Sequence, residues 1–281
     1  MTVTYRWGLN QCMRSTQRHG RSQVPDVTSP GEGAAVPAGV LGRTLAILEA
    51  FAGGDSSRSL GELSRRSGLP KSTVFRMVSE MCRERMLERN DDGSYRLGLR
   101  LFEIGERVPT YRSLSEVARP IMEDLREATR QRIHLAILEG VDVVYVEIVG
   151  ANLLSIGSRT GGRFPAHATG VGKALLAYSP AAVVQARIDA GLPRLTARTI
   201  TTPGALHRDL RQTRTKGFAQ DREESHVGVS CVAAPVFGSD SKPTAALSIT
   251  GRTTSIDPAR LGPAVLTAAH TLGRSLRESR L

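Results

Sequence analysis

Hydrophobic positions along this chain change midway from helical spacing to β-rich runs. Leu41, Leu45, Leu48 and Phe51 make one helical stripe over residues 40–52, and Gly53-Gly54 stops it. Leu60 and Leu63 share one face of a second, short helix. Ser59 caps it, with Glu62 three residues on in the capping-box pattern. Val74, Val78 and Met81 recur at i, i+4 and i+7 on a third helix. Between the two lies Ser67-Gly68-Leu69-Pro70. Gly68 can end a helix in the left-handed conformation, Pro70 is tolerated in the first turn of the next, and Leu69 pins the break to the core.

Residues 86–89 and 94–97 read as two short strands around Asn90-Asp91-Asp92-Gly93, a hairpin signal. A short amphipathic helix at 99–107 is broken by Pro109. A longer one at 113–130 carries Leu114, Val117, Ile121 and Leu125 on its apolar face, and Pro120 inside it predicts a bend or a break. From Ile133 the runs 134–138 and 143–149 form a hairpin. Helices follow at about 170–178, 180–190, 204–216 and 257–278. Strands return at about 229–237 and 244–250, joined by Gly238-Ser239-Asp240-Ser241. The predicted fold is therefore α+β with two domains: a winged helix-turn-helix over 39–101, linker helices over 102–131, and a second domain over 132–281 built on a mainly antiparallel sheet. Residues 1–38 are rich in Ser, Thr, Gln, Gly and Pro and read as a disordered tail.

A length of 281 residues fits two domains, and 4% aromatic content argues against stacking platforms for single-stranded nucleic acid. The net charge of +11 is misleading as a DNA signal. Residues 40–110 carry 12 Lys/Arg against 10 Asp/Glu, so most of the excess lies elsewhere. The local order of residues carries that argument instead. Cys12, Cys82 and Cys231 are far apart and form neither a metal-ligand spacing nor a disulfide framework, which fits a reducing cytoplasm. No apolar run approaches the roughly 20 residues of a membrane span. Arg14, Arg18 and Arg21 interrupt any signal-peptide core.

The third helix opens with Lys71, Ser72 and Thr73 and carries Arg76 one turn on. Free N–H groups and the helix dipole already draw phosphate to such an end. A lysine, two hydroxyls and an arginine there place donors where base edges and phosphates lie in a major groove. Ser59 at the head of the preceding helix, and Arg89 and Arg96 on the hairpin, complete a candidate surface for double-stranded operator DNA. So small a reading head needs repeated half-sites, hence a homodimer or a dimer of dimers. The stripe at Leu41, Leu45 and Leu48, or that at Leu114, Val117 and Ile121, could join the copies.

Sharper chemistry fails on inspection. Gly170-Val171-Gly172-Lys173 lacks the Walker A pattern, because His167 stands where the first glycine belongs and Ala174 where Ser or Thr belongs. Lys173 then supports the fold or faces solvent. Cys231, with His226 near it in sequence, lies in an apolar run and reads as a small hydrophobe rather than a nucleophile. His134 and His167 lack a cluster at ligand spacing and read as satisfied core or loop histidines. No catalytic residue, metal or cofactor is expected. The alternative is an enzyme or small-molecule-binding protein whose helix-turn-helix serves only oligomerisation.

Over about residues 40–280 the chain resembles the IclR family of bacterial transcriptional regulators. The likeness rests on LGRTLAILEAF, LGELSRRSGLPKSTVFRMV, PAHATGVGKALLA, and GVSCVAAPVF followed by AALSITG. It implies a regulator of a metabolic operon, a repressor, with a GAF/PAS-like second domain holding a small organic effector such as a carboxylate. Its effector contacts correspond here to Gly170, Val171, Asp221, Cys231, Ser248 and Thr250. Ser248 and Thr250 are two apart, so they share one face of a strand and suit a common pocket. The turn at Thr169-Gly170 precedes a helix, whose amides could hold an anion.

Overall fold

A computed structural model describes residues 39–52, 56–151, 158–238 and 242–279, so the expected tail at 1–38 and most of the Gly238–Ser241 turn lie outside the described residues. The amino-terminal half contains α1 (Val40–Glu49), α2 (Leu60–Ser67) and α3 (Lys71–Arg83). Three short antiparallel strands follow the order β1 (Ser57–Arg58), β3 (Tyr95–Leu97), β2 (Leu87–Arg89). Ser59 caps α2 as its spacing predicts: its hydroxyl accepts from the Glu62 amide at 3.3 Å, while Glu62 Oε2 accepts from the Ser59 amide at 2.8 Å. Gly68 ends α2 at φ 69°, and the Ser64 hydroxyl donates to the Leu69 carbonyl at 2.7 Å, drawing Leu69 into the core.

Ile47, Leu63, Val74, Val78, Leu87 and Tyr95 build that core. The predicted stripe on α1 is therefore corrected. Ile47, Ala50 and Phe51 face inward, whereas Leu41 and Leu45 lie on another side of the helix, 74% and 50% exposed. After β3, α4 (Leu99–Gly105) ends before Pro109, which starts α5 (Pro109–Thr129) in its first turn. Pro120 does not break α5. Residue 116, four back, is exposed, so the carbonyl that loses its donor can turn to water.

The second half is one six-stranded antiparallel sheet. Its strands are β4 (Arg132–Glu139), β5 (Asp142–Val149), β6 (Arg163–Pro165), β7 (Ala219–Arg222), β8 (Val229–Phe237) and β9 (Pro243–Arg252). They run across the sheet in the order β6-β5-β4-β9-β8-β7. The sheet is buried on both faces, and the period of two assigns each face. Ile133, Leu135 and Ile137 of β4, Val232 and Ala234 of β8, and Leu247 and Ile249 of β9 pack under α5 and α9 (Pro258–Glu278). Leu114 of α5 is buried there with Val117 and Ile121 packed alongside. That stripe thus supplies core, and of the two proposed for assembly only the one on α1 stays open. The residues between them point the other way, towards α6 (Gly170–Ala177), α7 (Ala181–Asp189) and α8 (Pro203–Lys216). The edge strands β1, β6 and β7 were not foreseen in the sequence.

Candidate functional site

On α3, Val74, Val78 and Met81 are buried, which turns Lys71, Ser72 and Arg76 outward, with Thr73 half-buried at the margin. Arg89 is exposed on β2. Arg96, directly across the hairpin from Glu88, donates to its carboxylate at 2.6 Å and 2.9 Å. A phosphate reaching Arg96 must compete with that carboxylate, and Arg89 is the freer of the two. The Ser59 hydroxyl, which also donates to Glu62 at 2.8 Å, is committed to its cap.

In the second half, the face of the sheet towards α6 brings all six predicted effector residues around one cavity. Asp221 and Cys231 are register partners on β7 and β8, Cys231 is opposite Thr250 on β9, and Ser248 stands two residues along. Gly170 and Val171 approach from the first turn of α6. A Cβ at position 170 would collide with Cys231 Sγ, so only glycine permits this approach. The cavity measures about 30 Å³, room for a water or two.

Residues that sequence reasoning had set aside share the lining. His134 on β4 places Nδ1 3.0 Å from Thr250 Oγ1 and Nε2 3.1 Å from Ser158 Oγ, with Tyr145 against its ring at 5.2 Å. Burial, aided by the Arg132 charge, pushes its pKa down to about 3, so the imidazole is neutral and donates at one nitrogen while accepting at the other. It is a satisfied histidine, as its apolar neighbours imply, yet it also faces the site. Ser158, Phe164, Ser225 and His226 also line it. The position of His134 within the alternation of β4, and the nearness of His226 to Cys231 in sequence, were the signals that could have flagged these beforehand.

Burial, with Asp221 beside it, pushes the Cys231 thiol up to about 12, so it stays protonated at neutral pH and is a poor nucleophile. Burial also raises Asp221, against the pull of Ser225 and Lys173. Its two oxygens accept from the Glu224 amide and the Ser225 hydroxyl, both at 2.7 Å, and so hold the loop after β7. Glu224 in turn receives Lys173 Nζ at 2.7 Å and 2.8 Å, with Asp209 Oδ2 at 3.3 Å. Lys173 is 0% exposed, so it supports the fold and does not face solvent. Burial alone opposes its charge, but Glu224 and Asp209 outweigh that and raise its pKa. Loop, α6 and α8 are thereby tied beside the cavity.

Comparison with known proteins matches both halves to one family. Residues 40–91 match the IclR helix-turn-helix domain, and residues 106–276 match the C-terminal domain of bacterial transcriptional regulator IclR. The HTH-type transcriptional regulator XynR of Escherichia coli is 35% identical over 78% of this chain and 88% of its own. The transcriptional repressor IclR of the same organism is 32% identical over 82% and 86%. An IclR homologue from Microbacterium hydrocarbonoxydans, solved with 4-hydroxybenzoate, superposes with a TM-score of 0.76 at 31% identity, covering 85% of this chain and 99% of that one. Matched in sequence and in fold over both halves, this chain belongs to the IclR family of bacterial transcriptional regulators.

Proposed function

We propose that this regulator represses a metabolic operon from the cytoplasm, as a homodimer or dimer of dimers, and releases or tightens its hold on operator DNA when a small organic acid enters the cavity of the second half. The observation that carries this reading is the convergence of Gly170, Val171, Asp221, Cys231, Ser248 and Thr250 on one buried space. Among the described residues no lysine or arginine lines it, so the acid is held by donors rather than by an ion pair. The Gly172 amide is engaged by Thr169 Oγ1, and the Gly170 amide by Cys231 Sγ. The Val171 amide is bound by neither and, with the Ser248 and Thr250 hydroxyls, can meet a carboxylate. Each Asp221 oxygen accepts a bond from its own loop and keeps a lone pair with which to accept from a ligand hydroxyl. An aromatic acid such as the 4-hydroxybenzoate of the Microbacterium homologue exceeds the present space. Binding therefore moves the wall, and the turn from His226 to Gly228 (φ 77°), beyond the Glu224 tie and with Val227 exposed, is the part to move.

No group here performs chemistry in this reading: the cysteine is protonated, the histidine is neutral and saturated, and the protein is a regulator rather than an enzyme. The test is thermal shift with a panel of small organic acids including 4-hydroxybenzoate, followed by calorimetry on Ser248→Ala. Thr250→Val is less clean because it also strands His134 Nδ1. Loss of one hydrogen bond to an ionised ligand costs about 1.5–3 kcal/mol, so Ser248→Ala should weaken the stabilising acid roughly tenfold or more. Unchanged affinity in that variant places the ligand elsewhere.

A further inference from the structure

The exposed face of α3 carries one residue that the polar DNA contacts do not explain. Phe75 is 57% exposed, a large aromatic ring set among Lys71, Ser72, Arg76 and Ser79. Residues 74, 78 and 81 anchor the helix to its core, and Phe75 lies off that face. At helical periodicity Ser72, Phe75, Arg76 and Ser79 fall within an arc of roughly 100°, so a groove that wraps this arc meets Arg76 along one edge and the ring along the other. One exposed ring is by itself ordinary; what singles out Phe75 is its place on the same outward arc as Ser72 and Arg76.

We infer that Phe75 is a specificity-determining residue that reads the C5-methyl group of a thymine in the major groove. That methyl is the apolar group among the donors and acceptors of the base edges there, and an aromatic side chain is among its natural partners. Arg76, the next residue, is suited to guanine O6 and N7. Adjacent positions on one helix reach neighbouring base pairs, so the operator half-site carries a thymine within a base pair or two of a guanine. Ser72, one turn before Arg76 on the same arc, has a hydroxyl short enough to leave the ring its approach. The inference rests on α3 being the operator-reading helix, and the experiment separates the two.

The full-length protein selects its preferred duplex from a random pool, and each thymine of the selected half-site is then replaced by deoxyuridine. This removes only the methyl. One buried methyl is worth about fourfold in affinity, so deoxyuridine at one position per half-site should weaken wild-type binding by about that factor. Phe75→Ala should bind the thymine duplex more weakly and show no difference between thymine and deoxyuridine, while Phe75→Leu keeps part of it. Because the ring is exposed, both variants should fold, and circular dichroism with thermal melting checks that they do. A selected, sequence-specific duplex indifferent to deoxyuridine at every position overturns the inference and leaves the reading helix intact. So does Phe75→Ala losing affinity equally on both duplexes, which would assign the ring to a protein contact. If the pool yields no preferred sequence, operator reading itself fails and the inference with it.

Discussion

His134 is fixed at the cavity wall by the Thr250 and Ser158 hydroxyls and by the Tyr145 ring. Between Ile133 and Leu135 on β4, the alternation turns it to the opposite face, so a buried polar position was legible. Its partner Thr250 is more than a hundred residues away, and no local pattern reports that pairing. The same holds for Cys231 under Gly170: the glycine was visible as a helix start, but the sulfur that demands it was not. The neutral imidazole has a consequence for stability. Its folded pKa of about 3 is below the ordinary 6.5, so below pH 6.5 the unfolded chain binds the proton more readily. The contribution of His134 is thus complete above pH 6.5 and is lost as pH falls towards 3, on the order of a few kcal/mol in all. Asp221, raised by burial, runs the opposite way. The His134 share is isolated by comparing wild type with His134→Gln in urea melts from pH 7 to pH 4. The variant should be less stable at pH 7 and show a flatter loss towards pH 4. Parallel curves would show that His134 does not titrate as described.

At the scale of elements, long periodic segments were legible and short edges were not. The helices of the reading head, the hairpin strands of β4–β5 and β8–β9, and α9 all carry their own apolar pattern. β1, β6 and β7 are two to four residues long, and β7 reads Ala-Gln-Asp-Arg, so these strands are defined by the neighbour they pair with. The prolines were legible as residues but not in effect, because whether Pro120 breaks a helix depends on whether the stranded carbonyl meets water. The tie between α6, α8 and the loop after β7 was not legible either, since Lys173, Asp209 and Glu224 are far apart in sequence. Leaving a buried charge without its partner typically costs about 3–5 kcal/mol. Lys173→Met or Glu224→Gln should therefore lower the thermal midpoint by many degrees, whereas Lys173→Met with Glu224→Leu should recover much of the loss. Calorimetric melts decide it: single variants as stable as wild type would mean the tie carries no load.

For the whole molecule, the proposed assembly of copies predicts contact through exposed apolar residues outside the reading face of α3. Val40, Leu41 and Leu45 on α1, and Leu99, Phe102 and Ile104 on α4, are at least half exposed among the described residues. Leu41→Glu with Leu45→Glu should reduce the mass seen by light scattering at micromolar concentration and weaken operator binding with little change in melting. A wild-type monomer under those conditions contradicts the assembly.

Occupancy of the cavity in the second half should alter the grip of α3 on DNA. Such coupling between sites typically amounts to 1–3 kcal/mol, about five- to 150-fold in affinity. The direct measurement is fluorescence anisotropy of the selected operator duplex titrated with full-length protein at fixed salt, with and without saturating amounts of the acid that most raises its melting temperature. Wild type should show a change of at least about fivefold in operator Kd, with Ser248→Ala needing roughly tenfold or more acid for the same change. An operator Kd that stays the same while calorimetry shows the acid bound would contradict this coupling.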